Sequence, residues 1–465
     1  MNVIPSPVHL LDRARSTFDL TTLERAIYGS NQRREGMRPQ DFDVDPQTGF
    51  FPPRPLPHLP AAFSIWEESL AGAQQALRLA ENQTPAAVAK RTAGERWRAN
   101  VRSWPVLNIG DLRDNLRCLQ RAHMVLAFNL HYYVHSMPKA NKDALVHIPA
   151  PLAIPLAAVS KELNIAPVLT FADVVLWNWE FVDPEQPLSV GNMRYVNLLS
   201  GTETEAAFYT ASAAVELKGV EMLQIIEGFV NLADTSEYSS VAKIYRDLCQ
   251  LKTTVEELTE IFRSIRSAVD PHSFYWIVRP WWNGADTKAN GQPGWVFDGV
   301  PNYASFDLAG PSAGQSSVMH ALDIFLDVDH KLVHHRQPAP SEANKKAEHG
   351  FMERMRRYMP GAHREYLNRI GSVPRNVRQV AEATPNLREP YNAVVDTLKR
   401  LRDEHMKIAT LYVITQARTT PPASAGIISV EEPKGGPAVG TGGNVVSVTL
   451  KASRDATQRT RLSDA

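Results

Sequence analysis

Few residues of this 465-residue chain combine a reactive type with a telling position. His405 lies in LRDEHMKIATLYV, residues 401–413. Leu401 is four residues before it, Leu398 seven before, Ile408 three after and Tyr412 seven after, the spacing of one helical face. Arg402, Asp403, Glu404 and Lys407 fall off that face. An inward imidazole needs partners for its nitrogens, because an unpaired buried polar group costs free energy. Either a backbone carbonyl satisfies it as a core residue, or it ligates a buried metal or cofactor. Arg279 poses a similar question in SFYWIVRPWWNG, residues 273–284, where Ile277, Val278, Pro280, Trp281 and Trp282 surround it. No acidic residue is local. A distant Asp or Glu would answer its charge, and so would a ligand carboxylate fitting the guanidinium fork.

Other candidates carry less. His131 and His135 stand at i and i+4, but Tyr132, Tyr133 and Val134 fill the gap where a zinc protease has a carboxylate, so a half-buried aromatic helix is expected. His334 and His335 are adjacent, would point apart on a helix, and are expected in solvent. AGPSAGQSS (309–317) has only small or polar residues, which let backbone approach a neighbouring helix or a flat cofactor. GTGGN (440–444) lacks the preceding strand of a dinucleotide fingerprint and the Lys-Ser/Thr of a phosphate loop. It serves as a linker, or as a loop that brings backbone N–H groups near a ligand.

The elements that position these residues read as helices. Apolar steps of three and four run through IWEESLAGAQQALRLAENQ, LRDNLRCLQRAHMVLAFNLHYYVHS, ETEAAFYTASAAVELKGVEMLQIIEGFVNLA and VAKIYRDLCQLKTTVEELTEIFRSIRSAV. Alternating β-branched runs are few, so the expected class is all-α without internal repeats. The first 60 residues, with DVDPQTGFFPPRPLPHLP, are expected to lie extended over a domain surface. Residues 336–350 and 419–444 have the composition of mobile insertions. Apolar residues make up 43% of the chain, enough for a large core, and 50 basic against 50 acidic residues give no reason to expect nucleic acid or an anionic membrane. Two cysteines, Cys118 and Cys249, exclude a disulfide framework or a cysteine-rich metal site. The proline-containing start MNVIPSPVHLLDRAR is not read as a secretory signal, and IPAPLAIPLAAV is too short and proline-broken to span a bilayer. A cytoplasmic monomer acting on a small molecule is expected.

Several stretches together resemble the indoleamine 2,3-dioxygenase family in a fungal-type form: DVDPQTGFFPP, FADVVLWNW, AGPSAGQSS, MRRYMPGAHREYL, REPYNAVVDTLKRLRDEHMKIATLYV and GTGGN. They come in the family's order from about residue 40 to the end. The resemblance implies a two-domain helical haem dioxygenase fold: a smaller N-terminal domain (1–198) over a large haem-binding catalytic domain (199–465), with b-type haem between them. It implies insertion of O2 across the indole 2,3 double bond of L-tryptophan to give N-formylkynurenine, the first step of the kynurenine pathway towards NAD. It places His405 as proximal ligand of the haem iron, Arg402 and Ser312 at the haem, and Ser212 and Arg279 nearest the chemistry, Arg279 binding the substrate carboxylate. It further implies a substrate pocket lined by Phe171, Val174, Phe208, Phe274, Ser312, Ala313 and Thr441, the last in a loop closing over substrate and a propionate. Phe208 and Ser212, four apart, share a helix face. An unactivated serine is a poor base, so Ser212 is assigned hydrogen bonding or space filling.

Four positions depart from the family pattern: Pro311 for a glycine, Val174 for a cysteine of vertebrate forms, a bulky Trp282 near the pocket entrance, and Asn444 where threonine is common. They motivate an alternative, a haem-binding paralogue with low tryptophan turnover acting as a sensor or on another indole. A helical scaffold without cofactor, with His405 an ordinary core residue, is a third reading and leaves Arg279 unexplained.

Overall fold

A computed structural model describes residues 37–138, 145–285, 294–427 and 438–463 of the chain. Part of the expected extended N-terminal segment and residues 428–437 of the second insertion lie outside the described residues.

The fold is all-α. Its main helices are α1 (Ser64–Ala76), α2 (Arg91–Ser103), α3 (Leu116–His135), α4 (Ala150–Leu163), α5 (Glu203–Val230), α6 (Tyr238–Ala268), α7 (Ser317–Phe325), α8 (Phe351–Arg356), α9 (Gly361–Gly371), α10 (Val377–Ala383), α11 (Pro385–Ala409) and α12 (Val446–Thr460). The strands among the described residues are three residues each: β1 (Val146–Ile148) pairs in parallel with β4 (Trp295–Phe297), and β2 (Trp179–Phe181) pairs antiparallel with β3 (Met193–Tyr195). None of the described helices is long and apolar enough to cross a membrane.

Long helices α5, α6 and α11 form the frame of the C-terminal half. α6 packs along both α5 and α11, and α11 also packs on α12. Sequence chemistry fixes where α5 begins. Thr202 caps it by accepting the Glu205 N–H, and the buried Glu205 carboxylate accepts the N–H groups of Leu199 and Ser200 at 2.9 and 2.7 Å. Tyr209, one turn on, donates to the same carboxylate at 2.7 Å. That network sets the register in which Phe208 and Ser212 follow.

The described part of the N-terminal segment is an anchor. Phe42, Phe50 and Phe51 are buried, Asp43 pairs with Arg117 on α3 at 2.7 Å, and the Phe50 ring lies 4.8 Å from that of His363 on α9. It thereby joins early and late helices across the sequence. The polar stretch 336–350 is held by Arg336 to Asp327, the Asn344 amide to Asp455 and His349 to the His330 carbonyl.

Candidate active site

Three short segments depart from α-helical geometry into π-helical turns: Ala172–Leu176, Phe274–Val278 and Thr410–Thr415. They carry or adjoin Phe171, Val174, Phe274, Arg279 and the end of the His405 helix. A π turn shifts the side-chain register by one residue and is frequent at functional sites.

On α11 the His405 ring meets Phe262 of α6 edge-on, centroids 5.5 Å apart. Neither ring nitrogen has a hydrogen-bond partner among the described residues. Burial, and then the nearby charge of Arg402, bring its pKa down to about 4, so the imidazole is neutral at pH 7. A neutral imidazole with unengaged nitrogens has the donor chemistry of a metal ligand. The residues present therefore fit an iron-bearing group at His405. Arg402, one turn earlier, donates to Asp323 Oδ1 at 2.5 Å, to the Ser453 carbonyl at 3.0 Å and to the Thr457 hydroxyl. Burial would raise the Asp323 pKa, but Arg402 and then His330 hold it well below the ordinary carboxylate range. The guanidinium expected at a propionate is thus tied to a carboxylate of α7.

Aromatic rings form a wall. Phe208 of α5 lies 4.9 Å from Phe274 and 5.3 Å from Trp282, Phe274 lies 5.5 Å from Trp282, and Phe274 meets Tyr412 at 5.7 Å. Tyr412 donates to the Val269 carbonyl at 2.6 Å, which ties the turn after His405 to the start of the Phe274 segment. Ser212 Oγ donates back to the Phe208 carbonyl at 2.9 Å.

Arg279 is half-buried, and desolvation lowers its pKa. Its Nη2 donates to the Val439 carbonyl at 2.9 Å and its guanidinium sits 5.0 Å above the Tyr275 ring. No carboxylate pairs with it among the described residues, so its charge is not neutralised there.

Residues 309–316 and 439–445 form a latch beside Arg279. Gly310 N–H donates to the Thr441 carbonyl at 3.1 Å, and the Thr441 hydroxyl donates to the Pro311 carbonyl at 2.6 Å. Gly310 is required by contact, since a Cβ there would sit 1.7 Å from the Trp282 carbonyl oxygen. Ser312 Oγ accepts the Gly314 N–H at 3.2 Å, and the Ala313 side chain is exposed. Gln315 clamps the assembly: its amide donates to the Gly310 carbonyl and its oxygen accepts the Phe171 N–H, both at 2.9 Å.

Phe171, just before the first π turn, and Val174 within it are buried. A network absent from the sequence reading holds that turn. Asp173 pairs with His123 at 2.7 Å and accepts the Thr170 N–H and hydroxyl at 2.8 and 2.7 Å. The signal was an aspartate inside the apolar run VLTFADVVLW. Also missed was Glu216, one helical turn beyond Ser212. It is buried, accepts from Ser316 at 2.5 Å, and is pushed up to about 7 by burial. The structure thus gathers Phe208, Phe274 and Trp282 in one wall, Arg279, Ser312 and Thr441 around one latch, and Arg402 on Asp323.

His131 and His135 are structural: His131 meets the Trp281 carbonyl at 2.8 Å, and His135 that of Asn283 at 2.8 Å. His334 and His335 are exposed, as expected.

The family model for indoleamine 2,3-dioxygenase matches residues 38–460. The rat protein named indoleamine 2,3-dioxygenase 1 is 28% identical over 426 residues, covering 91% of this chain and 96% of the relative. Indoleamine 2,3-dioxygenase of Saccharomyces cerevisiae is 28% identical over 463 residues, covering 92% and 95%. A protein named myoglobin from the abalone Haliotis diversicolor is 29% identical over 339 residues, covering 71% and 81%. A match running from the N-terminal anchor through the latch to α12 makes the chain a member of the indoleamine 2,3-dioxygenase family and a dioxygenase of the oxidoreductase class.

Proposed function

We propose that this dioxygenase binds haem b and adds both atoms of O2 across the C2=C3 bond of L-tryptophan, giving N-formylkynurenine as the first step of the kynurenine pathway towards NAD. The observation that carries the reading is His405, a half-buried neutral imidazole on an apolar helix face with no hydrogen-bond partner among the described residues. A relative whose name denotes a haem protein supports it. Haem b, when bound, supplies the redox chemistry that activates dioxygen. His405 holds the iron, while Arg402 and Ser312 serve the propionate edge. Arg279 receives the amino-acid carboxylate through its fork. Phe171, Val174, Phe208 and Phe274 orient the indole and exclude water. Ser312, Ala313 and Thr441 close the latch over the substrate, and Ser212 fills space beside it. In this reading residues 1–198 form the smaller unit over a haem-binding unit of residues 199–465, and the protein works as a cytoplasmic monomer.

The test is an absorption spectrum of the purified protein with and without L-tryptophan. A Soret band that shifts on adding tryptophan is expected; protein that takes up no haem from excess haemin sinks the reading. Replacing Arg279 by Gln removes a charge-assisted fork worth about 3 kcal/mol, so KM should rise roughly 100-fold with the haem band intact. Unchanged KM would remove Arg279 from substrate binding.

The packing of Trp282 against both Phe208 and Phe274 favours a second reading, in which the aromatic wall is shaped for another indole and tryptophan turnover is low. Comparing kcat/KM for L-tryptophan with that for ring-substituted tryptophans separates the two.

A further inference from the structure

Asp323 is shared between two environments. Its Oδ1 holds Arg402 of the His405 helix, and its Oδ2 meets His330 at 2.8 Å. Asp323 and His330 also line a cavity of about 210 Å³ between α7, α8 and the stretch leading from α9 to α10. None of the residues assigned to tryptophan or haem binding lines it.

The polar side of this cavity is built around one cation. Arg356 of α8 donates from Nε to His320 Nδ1 at 3.2 Å. His320 in turn meets the Gly314 carbonyl through Nε2 at 2.9 Å. With Nε2 facing an acceptor and Nδ1 accepting from Arg356, the ring is a neutral imidazole of defined tautomer. Burial, and then Arg356, agree with that by bringing its pKa down to about 4. His320 therefore fixes the guanidinium at one edge and leaves both terminal amino groups, the fork that suits a carboxylate, without a partner among the described residues.

Asp323 and Glu353 are near enough to act on the Arg356 charge, but no carboxylate among the described residues pairs with it directly. Asp323 is taken by Arg402 and His330, and Asp327 is paired with Arg336, which also donates to the Asp327 carbonyl. Glu353, on the same short helix, is paired with Lys331. One positive charge remains over. The rest of the lining is Asn376, Gly371 and an apolar wall of Ile324, Val328, Met352, Ile370 and Val373. A concave surface that sets an apolar wall against oriented polar groups suits a small amphipathic molecule.

We propose that this cavity binds a small carboxylate with an apolar body, its carboxylate on the Arg356 fork and its body against Val328, Met352 and Ile370. An inorganic anion would meet the charge but leave the apolar walls unused. A neutral hydrocarbon would leave the half-buried fork unpaired. The ligand's place beside Asp323 puts it two contacts from Arg402, so occupancy is positioned to be felt on the His405 helix.

The test is calorimetric titration of benzoate into Arg279→Gln protein, a background chosen so that the carboxylate site of the aromatic wall does not contribute. Saturable one-site binding with Kd below about 1 mM is expected. Adding Arg356→Gln should weaken it at least tenfold, and so should Val328→Trp, which fills the cavity without touching the charge. The second variant keeps the question decidable where the first does not fold. Absence of binding in the Arg279→Gln protein overturns the proposal, as does binding that survives both substitutions. Inorganic phosphate binding as tightly as benzoate overturns the apolar part of the assignment. None of these outcomes depends on tryptophan turnover, so failure here is distinguishable from failure of the proposed reaction.

Discussion

His131 on α3 and His405 on α11 are both imidazoles set among apolar neighbours of long helices, and burial depresses the pKa of both, to about 3 and about 4. They differ in what their nitrogens do. His131 Nδ1 donates to the Trp281 carbonyl at 2.8 Å, and its Nε2 accepts the Leu169 N–H at 3.4 Å. His405 has no such partner among the described residues. The first histidine ties a helix to two distant backbone segments; the second keeps its donor capacity for something the protein alone does not supply. His131 is buried and closed, whereas half-buried His405 leaves both nitrogens open to an incoming ligand.

The sharpest break of that comparison is a pair of alanine variants. His405→Ala should abolish haem uptake and dioxygenase activity while leaving the melting temperature of the haem-free protein nearly unchanged, because no hydrogen bond is lost. Retention of a normal Soret band would return His405 to the core. His131→Ala should do the opposite. It strands a buried carbonyl and a buried N–H and opens a cavity, costing about 3 kcal/mol or more, while the protein that remains folded still takes up haem. Equal stability loss in the two variants, measured by urea unfolding without haem, would erase the distinction.

How much of this was legible in the sequence follows from the range of the interactions. The face that carries His405 repeats locally, so its inward position could be counted. The isolation of Arg279 could also be read, because the absence of nearby acids is a local fact; its Val439 and Tyr275 partners could not. The clamp of Gln315 on Phe171 spans 144 positions and the His123–Asp173 pair spans 50. No periodicity encodes such pairings. The π turns at 172–176, 274–278 and 410–415 were equally invisible, because the extra residue per turn is imposed by tertiary packing on sequence that otherwise suits an α-helix. Ala313 sits in the expected loop, yet only the fold reveals that its side chain is exposed.

A pH series extends the comparison to the other buried groups. His131, His320, His363 and His405 all have folded pKa values depressed below 6.5, to about 3 for the first and about 4 for the rest. Depressed imidazoles contribute stability that is present above pH 6.5 and lost as pH falls through about 4. Glu216 runs the other way: raised from 4.5 to about 7, it contributes stability present below pH 4.5 and lost as pH rises through 7. With four imidazoles against this carboxyl, the urea midpoint of the haem-free protein should fall steadily from pH 6.5 to pH 4. A midpoint that stays flat over that range would mean these histidines take up protons as easily folded as unfolded.

The smallest effect is expected at Ser212, and it asks whether the aromatic wall contains a working hydroxyl at all. In the structure that hydroxyl donates to the Phe208 carbonyl one turn back, a bond that competes with the helix's own and leaves Oγ without a base to activate it. Replacing Ser212 by Ala returns the carbonyl to its helical partner and removes no interaction across the site. Stability should change by less than about 0.5 kcal/mol and kcat by less than about threefold, the range of substitutions that break no network. A hundredfold fall in kcat at unchanged KM would show that the hydroxyl leaves Phe208 when substrate is present and bonds only to the reacting species. Ser212 would then belong with His405, as a group whose partner the protein alone does not provide, rather than with His131.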